Sequence, residues 1–309
     1  MVYDLIIIGG GPAGVAAGVY AARKKLTTLL LTQDFGGQSI VSAEIQNWIG
    51  ERAISGEALA AKFKDHVMSY VSDTFVVKEG TRVSKVEKKG SNFNVSTEKG
   101  QAFETKTVLL ATGAHRRKLT VPGATEFEQK GITYCATCDG PLFGGRDVVI
   151  IGGGNAGFET ALQLLAYAKS VTLLHHSTEY RADPVTMEKV LANPKMKAVT
   201  NAETVEVKGD KFVTSLVYKD KISGATTEIP TQGVFVEIGL IPSTEFVKDL
   251  VTLTPYGAVV IDPCNHRASV TGIWAAGDGA EGLYHQNNIA AGDGVKALED
   301  IYLYLHTGK

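Results

Sequence analysis

One design occurs twice in this sequence, and the repetition constrains the fold more than any other feature. Each copy has a short apolar run rich in β-branched residues, a glycine turn and an alanine-rich helical stretch, with the turns at 9–14 and 152–157. A further apolar strand follows each copy, at 27–32 and 171–175. Strand, helix and strand in this order are typical of a parallel sheet with helices on its faces. We therefore predict two nucleotide-binding domains of a common α/β design.

Length and charge agree with two domains and restrict the partners. The chain has 309 residues, and domains of about 100–200 residues are usual, so each domain can bury its own core. The net charge of −2 provides no sequence-wide basic field, which argues against nucleic acid as a partner. No stretch approaches the roughly 20 apolar residues of a membrane span, and glycines end the first apolar run, Leu5–Ile8, too early for a secretory signal. We expect a cytoplasmic protein that binds neither nucleic acid nor membrane.

Both glycine turns fit the Gly-x-Gly-x-x-Gly pattern that binds a dinucleotide. The first glycine permits the tight bend from strand to helix, the second lets the backbone approach a pyrophosphate, and the third lets helix and strand pack closely. The pyrophosphate lies at the helix N-terminus, where amide groups and the helix dipole favour negative charge. The glycines are Gly9, Gly11 and Gly14 in the first copy, and Gly152, Gly154 and Gly157 in the second. Two such sites indicate two dinucleotides, and a flavin with a nicotinamide is the economical pair.

A third motif, Cys135-Ala136-Thr137-Cys138, points to redox chemistry. The C-x-x-C spacing lets the two sulfurs form a short-range, reducible disulfide, and such motifs often lower the pKa of a thiol. Structural zinc is the competing interpretation, but it usually needs four Cys or His ligands, commonly as paired motifs. The sequence has one further cysteine, Cys264, and no second paired motif. We predict a redox-active pair without a bound metal and give Cys264 no function.

Two charged features beside these motifs each allow two interpretations. Asp139 follows the second cysteine, where a carboxylate could give or take protons as thiolates form and discharge. The segment Asp139-Gly140-Pro141 is equally typical of a turn. The basic run 115–118 is interpreted first as a solvated face and, more weakly, as a docking site for an acidic partner.

Taken together, these motifs resemble the low-molecular-weight thioredoxin reductases, and they are also similar to the reductase part of the alkyl hydroperoxide reductase flavoprotein subunit. The resemblance covers essentially the whole chain, and residues 135–139 match the redox signature in full. It implies an α/β fold of two Rossmann-like, three-layer (ββα) domains that bind FAD and NAD(P), one inserted into the other. The FAD-binding domain would comprise 1–114 and 243–309, and the inserted NAD(P)-binding-like domain with the redox-active cysteines would comprise 115–242.

The resemblance also implies which residues hold FAD. They belong to the first glycine turn, to two segments that pass the flavin, to the strand end before the domain crossover, to the second FAD motif and to a C-terminal segment that closes over the isoalloxazine. In sequence order they are Gly9, Gly11, Pro12, Ala13, Gly14, Gly37, Gln38, Asn47, Thr112, Gly113, Gly277, Asp278 and Gln286.

Further implications concern the disulfide and its partners. By resemblance, Cys138 lies nearest the flavin, Cys135 attacks the partner's disulfide, and Asp139 donates the proton. The partner is then thioredoxin or a similar small redox protein, and the reductase is a homodimer.

The segment after the second βαβ strand departs from the family. Members that use NADPH carry His-Arg-Arg-x-x-x-Arg there, whereas this sequence reads His-His-Ser-Thr-Glu-Tyr-Arg over 175–181. No acid stands at the strand end to hold a ribose 2′-hydroxyl, so the sequence does not choose between NADH and NADPH. The predicted NAD(P)H-binding residues are Gly152, Gly154, Asn155, Gly157, His175, His176 and Arg181. A second departure is His285, because the family usually has arginine beside the flavin.

These observations predict a thioredoxin-disulfide reductase that passes electrons from NAD(P)H through FAD and the Cys135–Cys138 disulfide to a small redoxin. Two alternatives stay open. The same reductase could take electrons from another donor such as ferredoxin, which the missing arginines suggest. The protein could instead be a non-catalytic redox sensor, although the complete C-x-x-C-D motif argues against that.

Overall fold

The structure is a computed structural model that describes residues 1–42 and 45–308. It divides into two units, one formed by Met1–His115 with Ile241–Lys309, the other by Arg116–Leu240. The second unit is therefore an insertion in the chain of the first. From the sequence, these divisions were expected at 114/115 and 242/243.

Short strands dominate both units. In chain order they are β1 Val2–Gly10, β2 Thr28–Phe35, β3 Phe75–Lys78, β4 Val83–Lys89, β5 Asn92–Thr97, β6 Ala102–Leu110, β7 Ala114–Arg116, β8 Ile132–Thr133, β9 Asp147–Ile151, β10 Ser170–Leu174, β11 Met196–Val199, β12 Ala202–Gly209, β13 Val213–Asp220, β14 Thr226–Pro230, β15 Gly233–Val236, β16 Leu240–Pro242 and β17 Ile273–Ala275. The α-helices are α1 Pro12–Arg23, α2 Gly56–Met68, α3 Ala136–Asp139, α4 Asn155–Leu164, α5 Pro184–Leu191 and α6 Asn287–Thr307.

The first unit is built on a seven-stranded sheet in the order β3-β2-β1-β6-β5-β4, with β17 beside β6. Strands β1, β2, β3, β6 and β17 pair in parallel, whereas β4, β5 and β6 pair antiparallel. Leu5 and Ile7 of β1 pack in one cluster with apolar residues of α1, α2 and α6. Ile6 and Ile8 pack in a second cluster with Val86 and other apolar residues of the antiparallel strands. Because successive side chains of a strand face opposite sides, this alternation places the parallel strands between a helical layer and a β layer.

The second unit repeats that plan. Its sheet is parallel throughout, in the order β11-β10-β9-β15-β8, and an antiparallel sheet β12-β13-β14 accompanies it. Val148 and Ile150 of β9 pack with Phe158 of α4, while Val149 and Ile151 pack with Leu216 of the antiparallel sheet. The predicted fold class, two three-layer α/β units of Rossmann type, is confirmed. Within the described ranges, none of the helices combines the length and the apolar character needed to cross a membrane.

Candidate functional site

A cavity of about 980 Å³ lies in the first unit at the carboxyl ends of β1, β2, β6 and β17. A volume of this size is at the upper end of the range for small-molecule sites, about 300–1,000 Å³. Every residue predicted to hold FAD lines it, apart from Gly14 and Asn47. Those that line it are Gly9, Gly11, Pro12, Ala13, Gly37, Gln38, Thr112, Gly113, Gly277, Asp278 and Gln286.

The first glycine turn has the geometry that a pyrophosphate requires. A Cβ added to Gly9, where φ is +121°, would lie 2.1 Å from the carbonyl oxygen of Ala111, and a Cβ on Gly14 would lie 1.9 Å from that of Gly9. Both glycines therefore permit close backbone packing. At Gly11 the nearest atom would be 3.9 Å away, so this position is open on its cavity side. Because α1 begins at Pro12 directly after it, the helix N-terminus faces the space that an anionic group would fill.

Asn47 does not line the cavity but is hydrogen-bonded to Gln286, which does. Its side-chain amide donates to Oε1 of Gln286 over 3.1 Å, and its backbone carbonyl accepts a hydrogen bond from the side chain of Asn288 at 2.7 Å. Ser39 donates to Oδ1 of Asn287 at 2.7 Å. These bonds attach Ser39 and Asn47 to the first residues of α6. Asn287 and Asn288 belong to no recognisable motif and were not predicted from the sequence.

His285 is in direct contact with the second FAD motif. Its Nδ1 lies 3.5 Å from Oδ1 of Asp278, and both side chains are partly exposed. The imidazole thus stands beside the carboxylate that the resemblance assigns to the ribityl chain.

The second glycine turn reproduces the first in detail. A Cβ on Gly152 would lie 2.1 Å from the carbonyl oxygen of Glu237, and one on Gly157 would lie 2.0 Å from that of Gly152. At Gly154 the nearest atom would be the carbonyl oxygen of Arg181 at 3.7 Å, so this glycine is again the open one. The helix α4 begins at the next residue, Asn155, whose side chain accepts a hydrogen bond from the backbone of Asp183.

The three other residues predicted for NAD(P)H differ in their surroundings. His175 is buried, its Nε2 lies 2.9 Å from the carbonyl oxygen of Glu179, and its ring packs so closely on Gly153 that an added Cβ there would be 2.6 Å from it. Burial lowers the pKa of His175, so the ring is neutral and supports the turn from behind. His176 and Arg181 are exposed, and Arg181 donates its backbone N–H to the carbonyl oxygen of Gly153.

The basic run is not a continuous solvated face. Arg116 forms an ion pair with the buried Glu237, with Nη1 and Oε2 separated by 3.1 Å, and Lys118 forms one with Glu128 at 2.8 Å. The interpretation as a solvated face agrees with the exposure of His115, Arg117 and Lys118, whereas Arg116 is only partly exposed. Glu237 was not predicted from the sequence either, and its only signal was an acid directly after the apolar strand β15.

The two cysteines of the C-x-x-C motif are bonded to each other in the second unit, with their Cα atoms 5.3 Å apart. Cys135 precedes the short helix α3, and its sulfur accepts a hydrogen bond from the backbone N–H of Cys138 at 3.2 Å. Both residues are partly exposed, so the disulfide is accessible to another thiol. A bonded pair has no free thiolate for a metal, which favours the redox interpretation over zinc. The third cysteine, Cys264, is a free and exposed thiol in the first unit.

Asp139 completes α3 and is held by its neighbours. Its backbone N–H donates to the carbonyl oxygen of Cys135 at 3.0 Å, and its carboxylate accepts a hydrogen bond from the hydroxyl of Thr133. The same Thr133 oxygen accepts from the backbone N–H of Cys135 at 3.3 Å. Burial raises the pKa of Asp139, and the hydrogen bond from Thr133 opposes that effect in part.

Two dinucleotide turns of matching geometry and one accessible C-x-x-C disulfide beside a half-buried carboxyl define a class: dinucleotide-dependent disulfide oxidoreductases. The chain belongs to the pyridine nucleotide-disulphide oxidoreductase family, whose model matches residues 3–294. Proteins of this family use FAD and NAD(P)H, and the two glycine turns fit the pyrophosphates of these two cofactors.

Several known proteins are similar over nearly the whole of this chain. An NADH dehydrogenase of Bacillus subtilis is 40% identical over 304 residues, covering 98% of this chain and 58% of the relative. The F subunit of the alkyl hydroperoxide reductase of Pseudomonas aeruginosa is 41% identical over 296 residues, covering 96% of this chain and 57% of the relative. The chain thus spans little more than half the length of the curated relatives it matches.

Solved structures show the same fold at full length. A thioredoxin reductase from Streptococcus pyogenes is 35% identical, with a TM-score of 0.88 and 99% of each chain covered. A thioredoxin reductase from Giardia duodenalis is 29% identical, with a TM-score of 0.91 and 99% of each chain covered.

Proposed function

We propose that this protein is a thioredoxin-disulfide reductase that passes electrons from NADH, through FAD and the Cys135–Cys138 disulfide, to thioredoxin or a similar small redoxin. The observation that carries the proposal is the accessible 135–138 disulfide with Asp139 beside it, in a unit that also contains a dinucleotide turn. A redox sensor would need the disulfide but not two dinucleotide turns.

The chemistry at the cysteines is thiol–disulfide exchange. In the reduced state, the Cys135 thiolate attacks the partner's disulfide, forms a mixed disulfide and releases the partner's first thiolate. The Cys138 thiolate then attacks Sγ of Cys135, which releases the partner's second thiolate and restores the 135–138 disulfide. Two electrons and two protons thus move from the cysteine pair to the partner.

Asp139 supplies one of these protons. A carboxyl group with a raised pKa holds its proton closer to neutral pH than an ordinary aspartic acid does, and this favours a general acid. Its backbone bond to Cys135 keeps it close to the sulfurs throughout the exchange.

The assignment of the two dinucleotides follows from the two turns. Gly9–Gly14 with the residues lining the 980 Å³ cavity would hold FAD, and Gly152–Gly157 would hold the nicotinamide dinucleotide. Bound FAD supplies the two-electron link between the nicotinamide and the disulfide. The chain's own contribution is to bind the phosphates at the two helix N-termini. The open glycines, Gly11 and Gly154, carry no side chain that would block them.

NADH is the proposed donor rather than NADPH or ferredoxin. The segment 175–181 offers a buried neutral His175 and one arginine, Arg181, where a 2′-phosphate would need several cations. The name of the Bacillus subtilis relative, NADH dehydrogenase, supports this choice. An enzyme that takes its electrons from ferredoxin would not need the space that Gly154 leaves for a dinucleotide phosphate.

The proposed partner and assembly rest on the comparisons. The two thioredoxin reductases cover 99% of this chain, and their name supports a small redoxin as acceptor. The homodimer is proposed from the family resemblance. We place the reaction in the cytosol, where reductants keep such cysteine pairs cycling.

The test is an anaerobic titration of the purified flavoprotein with NADH and NADPH in separate cuvettes, followed by addition of oxidised thioredoxin. We expect NADH to bleach the flavin at lower concentration, and thioredoxin to restore its absorbance. A Cys264→Ser variant, which removes a thiol outside the proposed site, should behave as wild type, whereas Cys138→Ser should lose reoxidation by thioredoxin. Full disulfide turnover by Cys138→Ser would contradict the proposal, and failure of both nucleotides to bleach the flavin would point to another donor.

A further inference from the structure

Glu237 is a buried acid that the proposed thiol chemistry does not use. Its side chain is only 6% exposed, and it follows the last residue of β15. Oε1 accepts a hydrogen bond from the hydroxyl of Thr160 at 3.0 Å, and Oε2 accepts one from Arg116 at 3.1 Å. Its backbone N–H donates to the carbonyl oxygen of Ile151 at 2.8 Å, so the residue is fixed against the end of β9.

Such an arrangement is a poor way to stabilise a fold. Removing a carboxylate from water costs free energy that its attraction to a partly exposed guanidinium often fails to recover, and an apolar side chain of similar size is frequently as stable. Burial raises the pKa of Glu237, while Arg116 and Thr160 lower it. Each carboxylate oxygen has two lone-pair positions, so one bond to each oxygen leaves capacity for a ligand.

The position of Glu237 in the sheet indicates which ligand could lie near its carboxylate. In the order β11-β10-β9-β15-β8, the chain goes from β9 to β10 on one side, and β15 lies on the other side of β9. A dinucleotide lies across the strand ends at this reversal, with its pyrophosphate on the turn after β9 and its adenosine toward the end of β10. The nicotinamide half therefore extends toward the end of β15, where the backbone carbonyl of Glu237 adjoins Gly152.

We propose that Glu237, offset by Arg116, sets the preference of this site for oxidised over reduced nicotinamide, and so acts as a specificity residue. The proposal rests on the proposed function, because it requires that the second turn bind a nicotinamide dinucleotide. The oxidised nicotinamide ring carries a positive charge and the reduced ring is neutral. A carboxylate in a site of low dielectric attracts the cation more than the neutral ring, and the guanidinium of Arg116 limits that attraction so that the oxidised product is released.

The direct test is binding of three dinucleotide ligands to the oxidised FAD-loaded protein by isothermal titration calorimetry. The ligands are NAD⁺, tetrahydro-NAD with a neutral ring that cannot transfer hydride, and ADP-ribose without a nicotinamide. In Glu237→Gln, which keeps the shape and the hydrogen bond from Thr160, we expect NAD⁺ to bind at least about tenfold more weakly relative to tetrahydro-NAD, because the variant loses the negative charge that attracts the cationic ring. The affinity for ADP-ribose should not change.

The matched control is Glu203→Gln, which removes the same charge from an exposed position of the same unit. It should leave all three affinities at their wild-type values. An equal loss of affinity for all three ligands in Glu237→Gln, or unchanged affinity for all three, would overturn the proposal. Either result would mean that Glu237 has a structural role only. Absence of ADP-ribose binding to the wild-type protein would overturn the assignment of the second turn itself.

A second variant covers the case in which Glu237→Gln does not fold. Arg116→Gln removes the cation opposite the carboxylate, and at a pH where Glu237 stays ionised it should shift the preference several-fold toward NAD⁺. A shift toward tetrahydro-NAD in this variant would also overturn the proposal.

Discussion

Thr133 donates its hydroxyl hydrogen to the carboxylate of Asp139, and the same oxygen accepts the backbone N–H of Cys135. One hydroxyl thus joins the attacking cysteine of the proposed mechanism to its acid. Because Asp139 is also half-buried, desolvation raises its pKa above the ordinary value of 3.8. The resemblance assigned a proton-donating role to this residue, and the geometry gives that role a physical basis.

Replacing Asp139 by Asn should slow disulfide reduction with little change in structure. The amide oxygen can still accept the hydroxyl of Thr133, but the side chain no longer carries a transferable proton. We expect thioredoxin turnover to fall about 10²- to 10⁴-fold, the usual range for loss of a general acid. Stopped-flow reduction of the flavin by NADH serves as the internal control and should keep its wild-type rate. Turnover within a factor of two of wild type would mean that Asp139 serves only in the turn and does not donate the proton.

The same variant should alter how stability depends on pH. A carboxyl whose pKa is higher in the folded than in the unfolded state binds more protons when folded, so stability decreases as pH rises from 3.8 through the folded-state pKa. Asp139→Asn removes this loss, and its melting temperature relative to wild type should rise across that window and then stay constant. Calorimetric scans of both proteins from about pH 4 to pH 8 measure the difference. A difference that is flat or declines with pH would mean that the carboxyl is not destabilised by burial.

The parts of the site that could be predicted from sequence are those set by local backbone geometry. Both glycine turns and the C-x-x-C-D motif depend on residues at most five positions apart in the sequence, and their spacing alone suggests the chemistry. Glu237 and Arg116 are 121 residues apart, and only the order of the strands brings them together. His175 could be read as a surface ligand from its place after β10, yet its burial against Gly153 depends on how the following loop folds back.

Alanine substitutions at two glycines of the first turn should have different effects. Gly11→Ala has room for its methyl group in the free protein, with the nearest atom 3.9 Å away, but the methyl would occupy the approach of the pyrophosphate. We expect a folded protein that purifies with less than about a tenth of the wild-type flavin, because the methyl group blocks the approach of the pyrophosphate. Flavin absorbance against protein absorbance and circular dichroism measure both properties.

Gly14→Ala provides the contrast within the same turn. Its methyl would lie 1.9 Å from the carbonyl oxygen of Gly9, so strand and helix would have to separate. We expect low soluble yield or a lowered melting temperature, in addition to loss of flavin. A well-folded Gly14→Ala protein with full flavin would show that the helix and strand can move apart at little cost.

Gly154→Ala should weaken binding of the nicotinamide dinucleotide and leave FAD binding unchanged. Its Cβ would lie 3.7 Å from the nearest atom, so the second unit should fold and the first should keep its FAD. We expect wild-type flavin content and melting temperature, but at least about a tenfold higher NADH concentration for half-maximal flavin bleaching, because the methyl group blocks the phosphate. Reduction by dithionite bypasses the nicotinamide, and subsequent reoxidation by thioredoxin should proceed at the wild-type rate. Loss of FAD in this variant would contradict the assignment of the second turn to NADH.

A trapped mixed disulfide can show which of the two cysteines attacks the partner's disulfide. In Cys138→Ser the remaining Cys135 can still attack a partner's disulfide, but the resolving thiol is absent, so the mixed disulfide should accumulate. The experiment is done in a Cys264→Ser background because Cys264 is exposed and would form its own adducts. Because the freed second thiol of an intact thioredoxin would reverse the adduct, the acceptor is a thioredoxin with one active-site cysteine replaced by serine and the other activated as its mixed disulfide with thionitrobenzoate, which leaves when the cysteine attacks. Intact mass spectrometry should then show one covalent adduct that dithiothreitol reverses. In Cys135→Ser the same adduct should form at least about tenfold more slowly. A faster adduct in Cys135→Ser than in Cys138→Ser would reverse the two roles and make Cys138 the attacking sulfur.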